Sequence, residues 1–96
     1  MGRIRTEIRV EGQPLWALFD TGARYSYIAQ AAAESLDLKP LAVPRHASLG
    51  GRSHEVRHVC LIFADIEGHR AEFQASVIDE IGNDEEGRTL DVLSLV

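Results

Sequence analysis

The residues with the clearest chemical potential are Asp20-Thr21-Gly22, which stand at the end of the apolar run Leu15-Trp16-Ala17-Leu18-Phe19. An unbroken apolar run of this length suits a strand buried on both faces. A carboxylate where such a strand stops costs free energy unless it is hydrogen-bonded or paired. Thr21 follows it, and Gly22 can take backbone conformations that other residues resist. Asp20 is therefore a candidate proton acceptor and donor, the chemistry by which a carboxylate activates water. The same three residue types also make an ordinary turn, so the context has to decide.

Other side chains offer less. His54 and His58 are four apart, which on a strand is about 13 Å, too far for two ligands of one metal ion. His58 and Cys60 are closer, but they are only a pair where a site needs three or four converging ligands. No metal is expected. Cys60 reads as a small buried apolar residue rather than a nucleophile. Ser26 and Ser48 lack a histidine–carboxylate partnership, and Gly50-Gly51 lacks the lysine and helix of a phosphate-binding loop.

The elements that must position Asp20 are mostly strands. Ile4, Thr6, Ile8 and Val10 alternate with Arg5, Glu7, Arg9 and Glu11, the pattern of a half-buried strand. Gly12-Gln13-Pro14 turns the chain, and the run from Leu15 returns to complete a hairpin. After Tyr25-Ser26-Tyr27-Ile28, the segment from Ala29 to Leu36 reads as a short helix, with Ile28, Ala32 and Leu36 facing the core. Lys39-Pro40 and Pro44 pass the chain into an extended stretch. Gly50-Gly51 sits between two extended segments and signals a tight hairpin. Val56 to Ile66 is the longest apolar strand. Glu67-Gly68 reverses it into a strand over His69 to Val77, with Ala71, Phe73, Ala75 and Val77 inward and Arg70, Glu72, Gln74 and Ser76 outward. Leu90 to Val96 closes the chain as a short strand. The expected fold is mainly β, a small closed or partly closed barrel with one short helix.

Ninety-six residues make one small domain, near the lower end of independent stability. A hydrophobic content of 45% and a charged content of 26% are those of an ordinary globular protein. No apolar run is long enough to span a membrane, and no leader is visible. Cys60 is the single cysteine, so no internal disulfide can form and a cytoplasmic setting is expected. Asp79, Glu80, Asp84, Glu85 and Glu86 account for the whole net charge of −5, which leaves the rest of the chain balanced. That cluster reads as a solvated loop, or else as a recruiter of a basic partner. A nucleic-acid partner would need a basic stripe, and none is visible.

The order of strand, Asp20-Thr21-Gly22-Ala23, second strand and short helix resembles the retropepsin-like (retroviral-type) aspartic protease family, and Leu18-Phe19-Asp20-Thr21-Gly22-Ala23 matches without a gap. The resemblance implies a single retropepsin-like domain over residues 1–96 with an acid-protease-like closed barrel. It also implies roles. Asp20 would be catalytic, with Thr21, Gly22 and Ala23 supporting the catalytic loop. Leu49, Gly50 and Gly51 would lie at the tip of a flap over bound peptide, although a plain surface hairpin fits the same residues. The substrate would be an extended polypeptide, and no cofactor is implied. Such chemistry needs two carboxylates sharing a proton, and the chain holds one Asp-Thr-Gly, so a symmetric homodimer is expected. Two readings follow: a homodimeric aspartic endopeptidase, or a non-catalytic dimerisation or peptide-binding module that keeps the fold. Near the C-terminus the family carries two apolar residues, a glycine and then a helix. Val92-Leu93 supplies the pair, Ser94 or Leu95 stands where glycine is expected, and the helix is missing, so the domain reads as C-terminally incomplete.

Overall fold

The computed structural model describes residues 3–94. Seven strands and one short helix follow one another: β1 (Arg3–Val10), β2 (Gln13–Asp20), β3 (Tyr27–Ala29), α1 (Gln30–Ala33), β4 (Lys39–Leu49), β5 (Arg52–Ile66), β6 (His69–Ile78) and β7 (Val92–Ser94). They form one sheet in the order β1-β2-β7-β3-β6-β5-β4. Pairing of Arg9 with Asp65 and of Val10 with Ala64 brings β1 back onto β5 and closes six strands into a barrel, with β4 outside the ring on β5. The expected mainly β, closed-barrel class with one short helix is the class observed.

The hairpins follow from their turn residues. Glu11 and Gly12 both have positive φ, as do Gly50 and Gly51. Two-residue turns of that kind match the right-handed twist of the flanking strands. The first turn is thus Glu11-Gly12, and Gln13 and Pro14 already belong to β2. This shifts the register from the expected turn at Gly12-Gln13-Pro14, with a consequence at Asp20 described below.

Alternation along the strands fills the barrel. Ile8, Val10, Leu15, Ala17, Ile62 and Val92 are buried in one apolar cluster. The run Leu15–Phe19 is covered less evenly than a strand buried on both faces would be. Leu15 and Ala17 are buried, whereas Trp16, Leu18 and Phe19 are half-buried. Ile4 is 54% exposed rather than inward, at the rim of an apolar groove with Phe19, Ile66 and Phe73. On β5, Val56, Cys60 and Ile62 point inward while Leu61 and Phe63, on the outer face, are about half exposed. The helix is shorter than expected. Ala29 at its start has no side chain to cap the free N–H groups, and no acid lies in the first turn. The chain then tightens, with Leu36 N–H donating to the Ala33 carbonyl. Even so, Ile28, Ala32 and Leu36 are buried as the spacing requires. The closing strand β7 ends at Ser94, and the Leu95 and Val96 of the expected strand lie outside the described residues.

The acidic loop is not simply a solvated face. Asp84 accepts hydrogen bonds from Trp16 Nε1 (2.8 Å) and from the N–H groups of Glu86 and Arg88 (2.9 Å each). The guanidinium of Arg88 lies 3.8 Å from the centroid of the Trp16 ring, a cation–π contact that covers the outer side of β2. The loop between β6 and β7 therefore clamps the strand that carries Asp20.

Ile62 is fully buried at the centre of the barrel. Ile62→Ala is expected to cost about 2–5 kcal/mol through lost burial and the cavity left behind. That is a large share of the ~5–15 kcal/mol typical of a domain. Urea unfolding of both chains checks it.

Candidate active site

Asp20 is the last residue of β2, and the loop from Thr21 to Ser26 carries the chain across the end of β7 into β3. β7 pairs in parallel with β2 and antiparallel with β3, so it separates two strands that are neighbours in sequence. Asp91, just before β7, fixes this arrangement. Its carboxylate accepts the Trp16 N–H (2.8 Å), its own N–H donates to the Trp16 carbonyl (2.8 Å), and its carbonyl accepts the Ala29 N–H (2.9 Å).

The acid itself is held from two sides. Asp20 Oδ1 accepts the Gly22 N–H at 2.8 Å, and the Ala23 N–H donates to the Asp20 carbonyl at 3.0 Å, closing the turn. Asp20 Oδ2 accepts from Arg3 Nε at 3.1 Å. Arg3 stands directly across the hairpin, since the two-residue turn at Glu11-Gly12 runs the register from Val10↔Gln13 to Arg3↔Asp20. Gly22 thus contributes its N–H to the site, and Thr21 lies exposed beside Asp20.

Asp20, Gly22 and Ala23 border a cleft of about 680 Å³. Its opposite wall is the end of β4, from Arg45 to Leu49, and Tyr27, Val56 and Leu93 form its apolar floor. Leu49 lines the cleft, while Gly50 and Gly51 form the exposed tip of the β4–β5 hairpin just beyond it. Burial, with Tyr25 adding to it, pushes the Tyr27 phenol up, and Arg45 pulls the other way. Tyr27 therefore remains a neutral hydrogen-bonding group at ordinary pH.

Two acids of the cluster tether the hairpin close to its tip, where Arg52 pairs with Leu49 and His54 with Ala47. His54 is buried, with Nδ1 2.6 Å from Asp79 Oδ1, and Arg52 Nη1 lies 3.1 Å from Glu80 Oε1. The His54 hydrogen bond, helped by the Glu80 N–H, holds the Asp79 carboxyl below the usual carboxylate range. Asp84 is held low in the same direction, first by the Trp16 indole and then by the Arg88 N–H.

Several of these residues escaped the sequence reading. Ser76 is buried rather than outward, and its hydroxyl accepts from Arg45 Nη2 at 2.9 Å. Arg3 could have been found from a turn placed at Glu11-Gly12, whereas Arg45 and Ser76 meet only through the barrel. Ser94, one of the two residues that stand where glycine was expected, is buried, its Oγ 2.8 Å from Ser26 Oγ, and Leu95, the other, lies outside the described residues. Among the described residues, no three His, Cys, Asp or Glu side chains gather as a metal site, and no helix is long and apolar enough to cross a membrane.

A family model described as aspartyl protease matches residues 6–93, from β1 to β7. The chain belongs to the aspartyl protease family. The match is consistent with the retropepsin-like resemblance and includes Asp20-Thr21-Gly22-Ala23 and the β4–β5 hairpin. No curated protein matches the chain. Family membership supports a protease-like function.

A carboxyl whose folded pKa is depressed contributes stability above its unfolded value, and that stability is lost as pH falls through the folded pKa. Asp79 and Asp84 both behave this way, so the domain is expected to lose stability as pH is lowered below about 4. Asp84→Asn should lower the melting temperature at neutral pH and flatten its fall in acid. A melting series from neutral to acidic pH checks the slope, and an unchanged slope would exclude Asp84 as a source.

Proposed function

We propose that the protein is a homodimeric aspartic endopeptidase in which the Asp20 carboxylates of two subunits activate one water molecule. The observation that carries this reading is Asp20 at the mouth of a cleft wide enough for a peptide, in a chain of the aspartyl protease family. Asp20 is the one acid lining that cleft among the described residues. Peptide hydrolysis by carboxylates needs one group to take a proton and another to give one. A second subunit related by a two-fold axis supplies the missing group with its own Asp20.

The chemistry then balances within the dyad. The ionised carboxylate takes a proton from water as its oxygen adds to the peptide carbonyl carbon, and the protonated carboxyl gives its proton to the carbonyl oxygen. Collapse of the tetrahedral intermediate breaks the C–N bond and sends a proton to the leaving amine. Gly22 positions Asp20 through its N–H. The family resemblance gives Thr21 the role of stiffening the dyad across the subunit boundary and Ala23 that of lining the site. Leu49, Gly50 and Gly51 would close over the substrate. β4 ends the sheet, so an extended peptide can add along its outer edge. The buried, free Cys60 supports a reducing, cytoplasmic setting.

One observation favours the second reading, a peptide-binding or dimerisation module without catalysis. Both oxygens of Asp20 are engaged within a single chain, one by Gly22 and one by Arg3. A dyad requires Oδ2 to exchange the guanidinium for the partner's carboxyl. Cleavage separates the two readings. Asp20→Asn is expected to keep the fold and reduce peptide cleavage by roughly 10²–10⁴-fold, since the amide is nearly isosteric but cannot exchange the proton. Sedimentation across a concentration series is expected to show a dimer in the range where cleavage occurs. Cleavage by the Asn variant at the parent rate would remove Asp20 as the catalyst.

A further inference from the structure

The chain is acidic overall, but its cleft is not. Arg3, Arg24 and Arg45 line it against the single acid Asp20 among the described residues. Arg3 is committed to Asp20. Arg24, on the loop that follows the catalytic turn, is exposed and makes no ion pair among the described residues. Arg45, on the opposite wall, donates to the neutral hydroxyl of Ser76 and makes no ion pair among the described residues. The cleft thus keeps two guanidinium groups without counter-charges in a molecule of net charge −5. Acidic side chains are plentiful on this protein and pair with Arg52, Arg57 and Arg70 elsewhere.

We infer that the cleft selects polypeptides bearing a glutamate or aspartate near the bond to be cut, the carboxylate seating on Arg24 or Arg45. This rests on the reading that the cleft takes a polypeptide. A guanidinium offers a planar fork of donors that matches a carboxylate with two parallel hydrogen bonds. Side chains of an extended peptide alternate in direction, so one backbone path past Asp20 can present an acid to either wall. Arg45 has the firmer seat, because the Ser76 hydroxyl fixes its guanidinium above the apolar floor. A nucleic acid is the poorer fit. Its repeating phosphates would have to pass Asp20 and the acidic body of the chain, and in the cleft would find Arg24 and Arg45 alone as arginines without an ion pair among the described residues.

The test measures binding apart from cleavage. Fluorescein-labelled decapeptides share a central Leu-Phe pair in a Gln background, and each carries Glu at one flanking position. Their affinities for the Asp20→Asn dimer are read by anisotropy at about 50 mM and about 500 mM salt. The expected result is at least one position where Glu binds about tenfold tighter than Gln at low salt, with the ratio shrinking at high salt. Arg24→Gln or Arg45→Gln should bring that ratio towards one. Charge reversal by Arg45→Glu should move the preference to a Lys peptide. Equal binding of Glu and Gln peptides at every position would overturn the inference. So would a preference that survives both arginine substitutions, displacement of the peptide by equimolar oligo(dT), or no binding of any peptide. Cleavage of the same peptides by the parent chain is scored separately. Cutting without a Glu preference would keep the protease reading and sink this one, whereas a Glu preference without cutting would do the reverse.

Discussion

The structure depends on a strand inserted between two others. β2 and β3 are joined by only six residues, yet β7 lies between them. Their connection must therefore span two inter-strand spacings, roughly 10 Å, while passing over the end of a third strand. That constraint fixes the loop from Thr21 to Ser26 more firmly than its sequence would. The residue that enters the crossing is Asp20, so the barrel's topology delivers a carboxylate to a defined point at the cleft. The Asp91 bonds to Trp16 and Ala29 lock the insertion from below. The paired hydroxyls of Ser26 and Ser94 join the crossing loop to β7.

Electrostatics then divides the acids of the chain between structure and chemistry. Asp84 and Asp91 are satisfied by backbone and indole N–H groups and serve to hold β2. Asp79 and Glu80 tether the β4–β5 hairpin through His54 and Arg52. Asp20 differs because it borders open space as well as its own partners. The cluster from Asp79 to Glu86, which reads in sequence as a solvated run, is thus partly a set of anchors. Its charges alone could not reveal this, because their partners Trp16, Arg52 and His54 are distant in the chain.

The sequence was most informative where local rules act alone. The strands over Ile4–Val10 and into Asp20-Thr21-Gly22 and the tight turn at Gly50-Gly51 each appear where the pattern places them, although Ile4 is exposed and Leu15–Phe19 is covered mainly on one face. It failed where a single residue of register matters. Placing the first turn at Gly12-Gln13-Pro14 hid the pairing of Arg3 with Asp20, and the outward assignment of Ser76 hid its contact with Arg45. Ser76 alternates as a solvent-facing position should, but the cleft floor rather than water covers that face of β6. The helix falls short of the alanine-rich segment because its start at Ala29 carries no capping side chain, a weakness the sequence already shows.

The central claim is that two Asp20 residues from two chains make one site, and mixing chains tests it most directly. Parent and Asp20→Asn chains are combined at fixed total concentration, allowed to exchange, and assayed for peptide cleavage. If each site needs both carboxylates, only parent–parent dimers cut, and an equal mixture retains about one quarter of the parent activity. Activity that falls in simple proportion, to about one half, would show that a single chain carries a complete site and would contradict the account.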